Sequence, residues 1–465
     1  MTGEQVRWSA EQVLGLAPDA ASRKAGIKLS APGPWSGAAR RGDSLWGLCK
    51  GSGSKPYMTA VDLADTAVPG YKCSCPSRKF PCKHALGLLL LWAQDSAGTA
   101  VVSGPEPPEW AEKWLAGRRQ RAEAGAASGA GAPPVDEKAA RKRAERRSQR
   151  IADGASELER RLGDLVDGGL AGAERLGYAA WNDMAARMVD AQAPGLAARV
   201  RELAAIPSSG PGWPSRMLTE CALLHLLVRA YPQVDELPDS LAATVRSRVG
   251  VPVDSAALIA EHSGAGTLVR DHWLVLAMKD TQEERLTVRR IWLRGRREGR
   301  TAMLLSFGAA QRTPELALPP GSEFDADLAI YPGGAQLRAT IATHHGTLAS
   351  SGAAPPGTTL AAALAEYGGA LAEDPWLSSR PVVLAAVTPM PGERGATDDP
   401  VTAGDTGWRL ADTEGAAVPL RCSGEKSYWR LAAASGGAPV TVFGEIGADG
   451  FRPHTVWSDG EAVEL

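Results

Sequence analysis

The chain has 465 residues, too many for a single core, so two or three domains are expected. Hydrophobic residues make up 44% and charged residues 22%, as in a folded soluble protein, and the net charge of -2 excludes a strongly basic or acidic protein as a whole. Six cysteines are too few for a disulfide scaffold, and no run of 18 apolar residues exists to cross a membrane. A reducing, cytoplasmic setting is expected, and the N-terminus shows no signal-peptide pattern.

In chain order, Ser9 followed by Glu11 to Leu16 predicts a short capped helix, and Gly26 to Leu29 a strand. Trp8, Trp35 and Trp46 are read as core residues of a small N-terminal module in preference to an exposed stacking surface. Leu45 to Cys49 and Tyr57 to Val61 predict two strands joined by a Gly/Ser turn at 51–54. Next comes Cys73-Ser-Cys75-Pro-Ser-Arg-Lys-Phe-Pro-Cys82-Lys-His84, which places three thiols and an imidazole within twelve residues. Cysteines two apart in an extended segment leave the same face, and Cys82 and His84 repeat that spacing on the returning chain. Four such ligands suit a closed tetrahedral Zn2+ site of architectural, not catalytic, purpose. Cys-x-Cys lacks the spacer of a thioredoxin-like redox pair. From Cys82 to Gln94 the residues predict a buried helix despite Gly87.

These residues resemble the SWIM zinc finger, with its CxCx(n)CxH pattern after a ββ unit, and the layout resembles bacterial SWIM-type zinc finger family proteins. The resemblance implies Cys73, Cys75, Cys82 and His84 as ligands, and DNA or protein binding as the role. It also points to an AAA-type ATPase as a protein partner. Cys49, Cys221 and Cys422 remain as small buried hydrophobes.

Past the finger, a helix carrying Trp110 and Trp114 on one face leads into an Ala/Gly-rich stretch, Ala122 to Pro134, read as a flexible linker. Lys138 to Arg150 then sets seven cations against Glu145 alone. It can bind phosphates or form the solvated face of a helix continuing through Ile151 to Leu165. Helical periodicity persists to about Val249, with Met217 to Tyr231 as the central buried helix and His225 as a satisfied core residue. From about Gly264 the pattern turns to strands: Trp273 to Ala277, Leu286 to Leu293, Ala302 to Phe307, and more between 323 and 343. A helix at Thr358 to Leu371 interrupts, and Pro381 to Val387, Trp408 to Leu410, Tyr428 to Ala432, Val440 to Ile446 and His454 to Val456 read as further strands. Met390 to Asp405 reads as a loop.

The fold class is therefore α+β: a small ββα zinc module (1–100), a linker with the Trp pair and basic run (101–150), a helical domain (151–262) and a β-rich domain with one helical insertion (263–465). No phosphate loop, nucleophile turn or metalloprotease motif is present; His344-His345 and Asp398-Asp399 lack a frame that would make them a site, and no enzyme is expected. Two functions stay open: a protein-interaction adaptor with structural zinc, or a DNA-binding protein using Arg78, Lys79 and Lys83 together with the basic run. No membrane partner is expected.

Overall fold

The computed structural model describes residues 8–465 apart from 19, 52, 54, 65–68, 78, 80, 96, 131–136, 284–285, 310–313, 315, 336, 347, 352 and 393–406. The first unit begins with helices α1 (Ala10–Gly15) and α2 (Ala20–Lys28). Ser9 caps α1 through a reciprocal capping box with Gln12. Five strands follow, β1 (Trp35–Arg41), β2 (Ser44–Cys49), β3 (Tyr57–Asp62), β4 (Gly70–Cys73) and, after helix α3 (Lys83–Gln94), β5 (Val102–Ser103). Their order is β4-β3-β2-β1-β5, so the predicted hairpin is the centre of a wider sheet. Helix α3 buries every residue from His84 to Trp92.

The expected strand at Gly26 to Leu29 is instead the end of α2, and the reason is a close helix crossing. A Cβ at Gly26 would meet the Leu86 Cβ at 2.9 Å, and one at Gly87 would meet the Leu29 Cβ at 2.6 Å. Two glycines thus let α2 and α3 touch backbone to backbone, which outweighs the weak helix propensity of glycine.

Helix α4 (Glu109–Ala130) sets Trp110 and Trp114 against Ala39, Trp46 and Ala60 of the sheet. The stretch read as a linker is helical as far as Ala130, because alanine has the highest helix propensity; 131–136 lie outside the described residues. Helix α5 (Glu137–Asp167) carries the basic run and Ile151 to Leu165 as one continuous element. With α6 (Ala171–Asp190), α7 (Pro194–Ala205), α8 (Trp213–Ala230), a 3-10 turn (Tyr231–Glu236) and α9 (Asp239–Val249) it encloses a core of Ile151, Leu158, Trp181, Leu196, Met217 and Leu224. Helix α8 is not wholly buried: Leu218 and Leu226 are about half exposed and His225 is exposed, so the expected core histidine faces solvent. The 3.6-residue repeat permits only one side of a surface helix to face the core.

After α10 (Ser255–Ala265) come β6 (Val269–Glu283), β7 (Leu286–Gly295), β8 (Thr301–Ala309), β9 (Ser322–Ile330), β10 (Arg338–His344) and β11 (Ala349–Ser350). Strand β10 pairs with both β8 and β9, and β9 with β6, so five strands close into a ring. The last sheet, β14-β13-β12-β15-β16-β17, joins β12 (Ser379–Met390), β13 (Arg409–Asp412), β14 (Ala417–Pro419), β15 (Val440–Gly447), β16 (Gly450–Ser458) and β17 (Glu461–Glu464). Helices α11 (Leu360–Glu373) and α12 (Glu425–Ser435) pack on it. Tyr428 to Ala432, expected as a strand, belongs to α12: Tyr428, Leu431 and Ser435 are buried at helical spacing and Gly436 ends the helix at φ 57°. The region thus carries two helical insertions. The fold is mixed α+β with an N-terminal strand module and a β-rich C-terminal region. Asp398, Asp399 and most of the Met390 to Asp405 loop lie outside the described residues.

One core runs through the finger and the ring. Leu86, Leu88, Leu89, Leu90 and Cys82 share a buried cluster with Trp273, Val275, Ile291, Phe324 and Leu328. Trp8 and Trp46 are buried, and Trp35 donates its indole N–H to the Leu29 carbonyl at 2.7 Å, so all three tryptophans serve packing.

Candidate metal centre

Each ligand position follows from the element that ends or begins beside it. Cys73 is the last residue of β4, and Ser74 extends the pairing with β3: its N–H donates to the Met58 carbonyl at 3.0 Å and its hydroxyl accepts from the Met58 N–H at 2.9 Å. Cys75 therefore leaves the strand in a fixed direction. Cys82 is the N-cap of α3 with extended backbone (φ -74°, ψ 165°), and His84 lies in the helix's first turn. The second pair is thus set by a helix start, in agreement with the helix expected from about Cys82.

The ligand atoms of Cys73, Cys75, Cys82 and His84 all lie within 4.8 Å of one another, with Cys73 Sγ 3.7 Å from His84 Nδ1. Ligands about 2.1–2.3 Å from a tetrahedral zinc stand roughly 3.5–3.8 Å apart, so the cluster needs little adjustment to hold one. Three soft thiolates and one imidazole are the donor set zinc takes in closed structural sites. Among the described residues this is the only group of three or more Cys, His, Asp or Glu side chains gathered as ligands.

The protons of Cys75, Cys82 and His84 depend on the neighbouring ligands. Hydrogen bonds from Cys73 and Cys82 hold the Cys75 thiol far below its ordinary range, with the Ser77 amide adding to the effect. Hydrogen bonds with Cys73 and Cys75, followed by burial, push Cys82 far above it. Burial would lower His84, but hydrogen bonds with Cys73 and Cys75 prevail and raise it to about 9. Cys82 and His84 thus hold protons that a divalent cation would displace, which is the behaviour expected of a metal site.

The surrounding shell was not legible in the ligand spacing. The Thr59 hydroxyl lies 3.3 Å from Cys73 Sγ, and the Tyr57 ring sits 4.7 Å from the His84 ring. Both come from β3, the strand beside β4. Cys49, opposite Tyr57 in the β2/β3 register, is fully buried, and its thiol is pushed up to about 11 by burial and by the charge on Cys73. It stays a neutral thiol, a small hydrophobe as expected; Cys221 is likewise buried, whereas Cys422 is only partly so. Lys79 and Lys83 are exposed, and Lys83 lines a cavity of about 540 Å3 beside His84 and Tyr57, together with Lys50. Arg78 lies outside the described residues.

A closed Cys3His cluster at the junction of a β-sheet and a helix defines a zinc-finger protein. The family model of the SWIM zinc finger matches residues 60–93, which span all four ligands, and that of the SWIM-associated four-helix bundle domain matches residues 146–249. The chain thus contains a SWIM zinc finger followed by a SWIM-associated helical domain. No curated protein and no solved structure matches it. The second match falls on α5 to α9, whose shared core was described above.

Proposed function

We propose that the chain is a non-enzymatic adaptor in which zinc is structural and other surfaces bind a protein partner. The observation that carries this reading is the place of the cluster. Its last two ligands open α3, and α3 fills a core common to the finger and the β-ring. Four protein ligands leave no coordination position for substrate, so the metal would secure a fold, not perform chemistry. Helix α8 supplies a docking surface: Leu218 and Leu226, two turns apart, expose about half their area on the bundle's outer face. An AAA-type ATPase is the partner class that the family likeness suggests. A cytoplasmic location agrees with three free thiols outside the cluster, and no helix among the described residues is long and apolar enough to cross a membrane.

The test is a double variant, Leu218→Asp with Leu226→Asp, examined by cross-linking and affinity capture against a candidate ATPase. The adaptor reading expects loss of the complex with unchanged bundle helicity. Retained capture would remove α8 as the docking surface.

The alternative, DNA binding through the finger, draws on the exposure of Lys79 and Lys83. It is the weaker reading because α3, the finger's helix, is buried in the protein and offers no free face to a DNA groove.

A further inference from the structure

The first half of α5 carries a row of cations. Lys138, Lys142, Arg146 and Arg150 recur at every fourth residue, so they line one side of the helix, and Arg143 and Arg147 flank them. All are exposed except Arg147, which is half exposed. Among the described residues none of the six forms an ion pair; the run's one acid, Glu145, pairs with Arg141 at 3.0 Å.

The same helix provides its own comparison. Past Ile151, where α5 enters the bundle core, Arg160 pairs with Glu157 and Asp164, and Arg161 with Glu157, while Glu159 also receives Arg229 from α8. Arg160 and Arg161 thus have acidic partners on the half that packs, whereas the six cations of the other half have none among the described residues. Like charges four apart destabilise a helix, a penalty that a bound polyanion removes.

We infer that this stripe, Lys138 to Arg150, is a docking surface for the phosphate backbone of a nucleic acid. The inference does not rest on the adaptor reading or on the finger. The row is about 18 Å long at 1.5 Å per residue, and duplex DNA presents about one phosphate per 3.4 Å along each strand, so roughly five phosphates lie within its reach. An anionic membrane fits less well. A helix that lies in a bilayer interface needs large apolar residues opposite its cations, and residues 137–150 contain none. An acidic protein fits less well too, since protein interfaces centre on aromatic or aliphatic anchors that the stripe lacks. Base reading is not expected: Ser148 and Gln149 are the run's uncharged polar residues, and Gln149 is engaged with Asp153 at 2.9 Å.

The experiment measures binding of the full chain to a random-sequence duplex of about 25 base pairs, by fluorescence anisotropy, from about 50 to 200 mM salt. Wild type is expected to bind with a steep salt dependence. The variant Lys142→Gln, Arg143→Gln, Arg146→Gln, Arg150→Gln removes four charges and should flatten the slope of log K against log salt by about 3 to 4. Replacing the same three arginines by lysine should retain binding, because phosphate contacts need only the charge. The pair Lys79→Gln, Lys83→Gln should leave the slope nearly unchanged. A wild-type slope near zero would overturn the inference, as would a slope changed only by the Lys79/Lys83 variant. Equally tight, stripe-dependent binding to polyglutamate or to phosphatidylserine vesicles would overturn the choice of nucleic acid.

Discussion

Tyr57 and His84 lie with ring centroids 4.7 Å apart and planes tilted by 34°, so β3, an inner strand of the finger sheet, steadies the one imidazole among the ligands. Residues around metal ligands fix their orientation, and losing one typically weakens metal binding 10- to 100-fold. Tyr57→Ala should therefore lower zinc affinity by about tenfold, read by competition with a chromophoric chelator, and Tyr57→Phe should keep most of it. Equal affinity in Tyr57→Ala would show that the ring serves only packing.

The pH dependence of zinc binding follows from the cluster's own protons. His84, raised from 6.5 to about 9 in the folded protein, holds a proton at neutral pH that stabilises the metal-free fold below about 6.5 and is lost as pH rises through about 9. Cys82, pushed above the ordinary thiol range, holds another. Zinc must displace both, so its apparent affinity should climb by up to about a hundredfold per pH unit between 6.5 and 9, with protons released on binding. Calorimetry in buffers of different ionisation enthalpy counts those protons; a value of zero would contradict the pattern.

Gly87 is fixed by its closeness to Leu29, where a Cβ would come within 2.6 Å. Gly87→Val should separate α2 from α3 and destabilise the N-terminal unit by about 1–3 kcal/mol, although valine removes the entropic penalty of glycine in a helix. Thermal denaturation followed by tryptophan fluorescence would report it.

The bundle meets the C-terminal region through a second named pair. Arg248 donates to Asp374 at 3.0 and 3.2 Å, Asp374 accepts the Trp376 N–H at 3.1 Å, and the Trp376 indole donates to the Leu223 carbonyl at 2.8 Å. Arg248 keeps 30% of its side chain exposed, so Asp374→Ala should cost about 2–3 kcal/mol, less than a fully buried pair. The loss should show as earlier separation of bundle and β-region in denaturant, with bundle helicity kept.

What the sequence disclosed and what it withheld divide along contact distance. Ligand spacing is local, and so are the cap at Ser9, the β2/β3 hairpin and the long alternations of β6 to β8; each could be read from neighbouring residues. The helix at Gly26 could not, because its cause lies in Leu86, sixty positions on. Tyr428 to Ala432 reads as a strand by its aromatic content, yet Gly424 and Gly436 at its two ends were the available signal for a helix. His225 shows the limit of composition: α8 is apolar on nearly every side, and only the packing of the bundle decides which side faces inward. The core common to finger and ring joins residues about two hundred positions apart, and no local pattern records it.

That common core makes the most direct test a measurement on Cys82→Ser. The account predicts that the wild-type protein holds one zinc per chain, by elemental analysis, and that the variant loses it. Because α3 shares a buried cluster with Trp273, Ile291 and Phe324, hydrogen exchange should then rise in the finger and also in β6, β7 and β9, while the α5 to α9 bundle, with its separate core, stays protected. A variant that retains zinc as tightly as wild type, or one that loses zinc with no change in exchange anywhere, would contradict a structural Cys3His site.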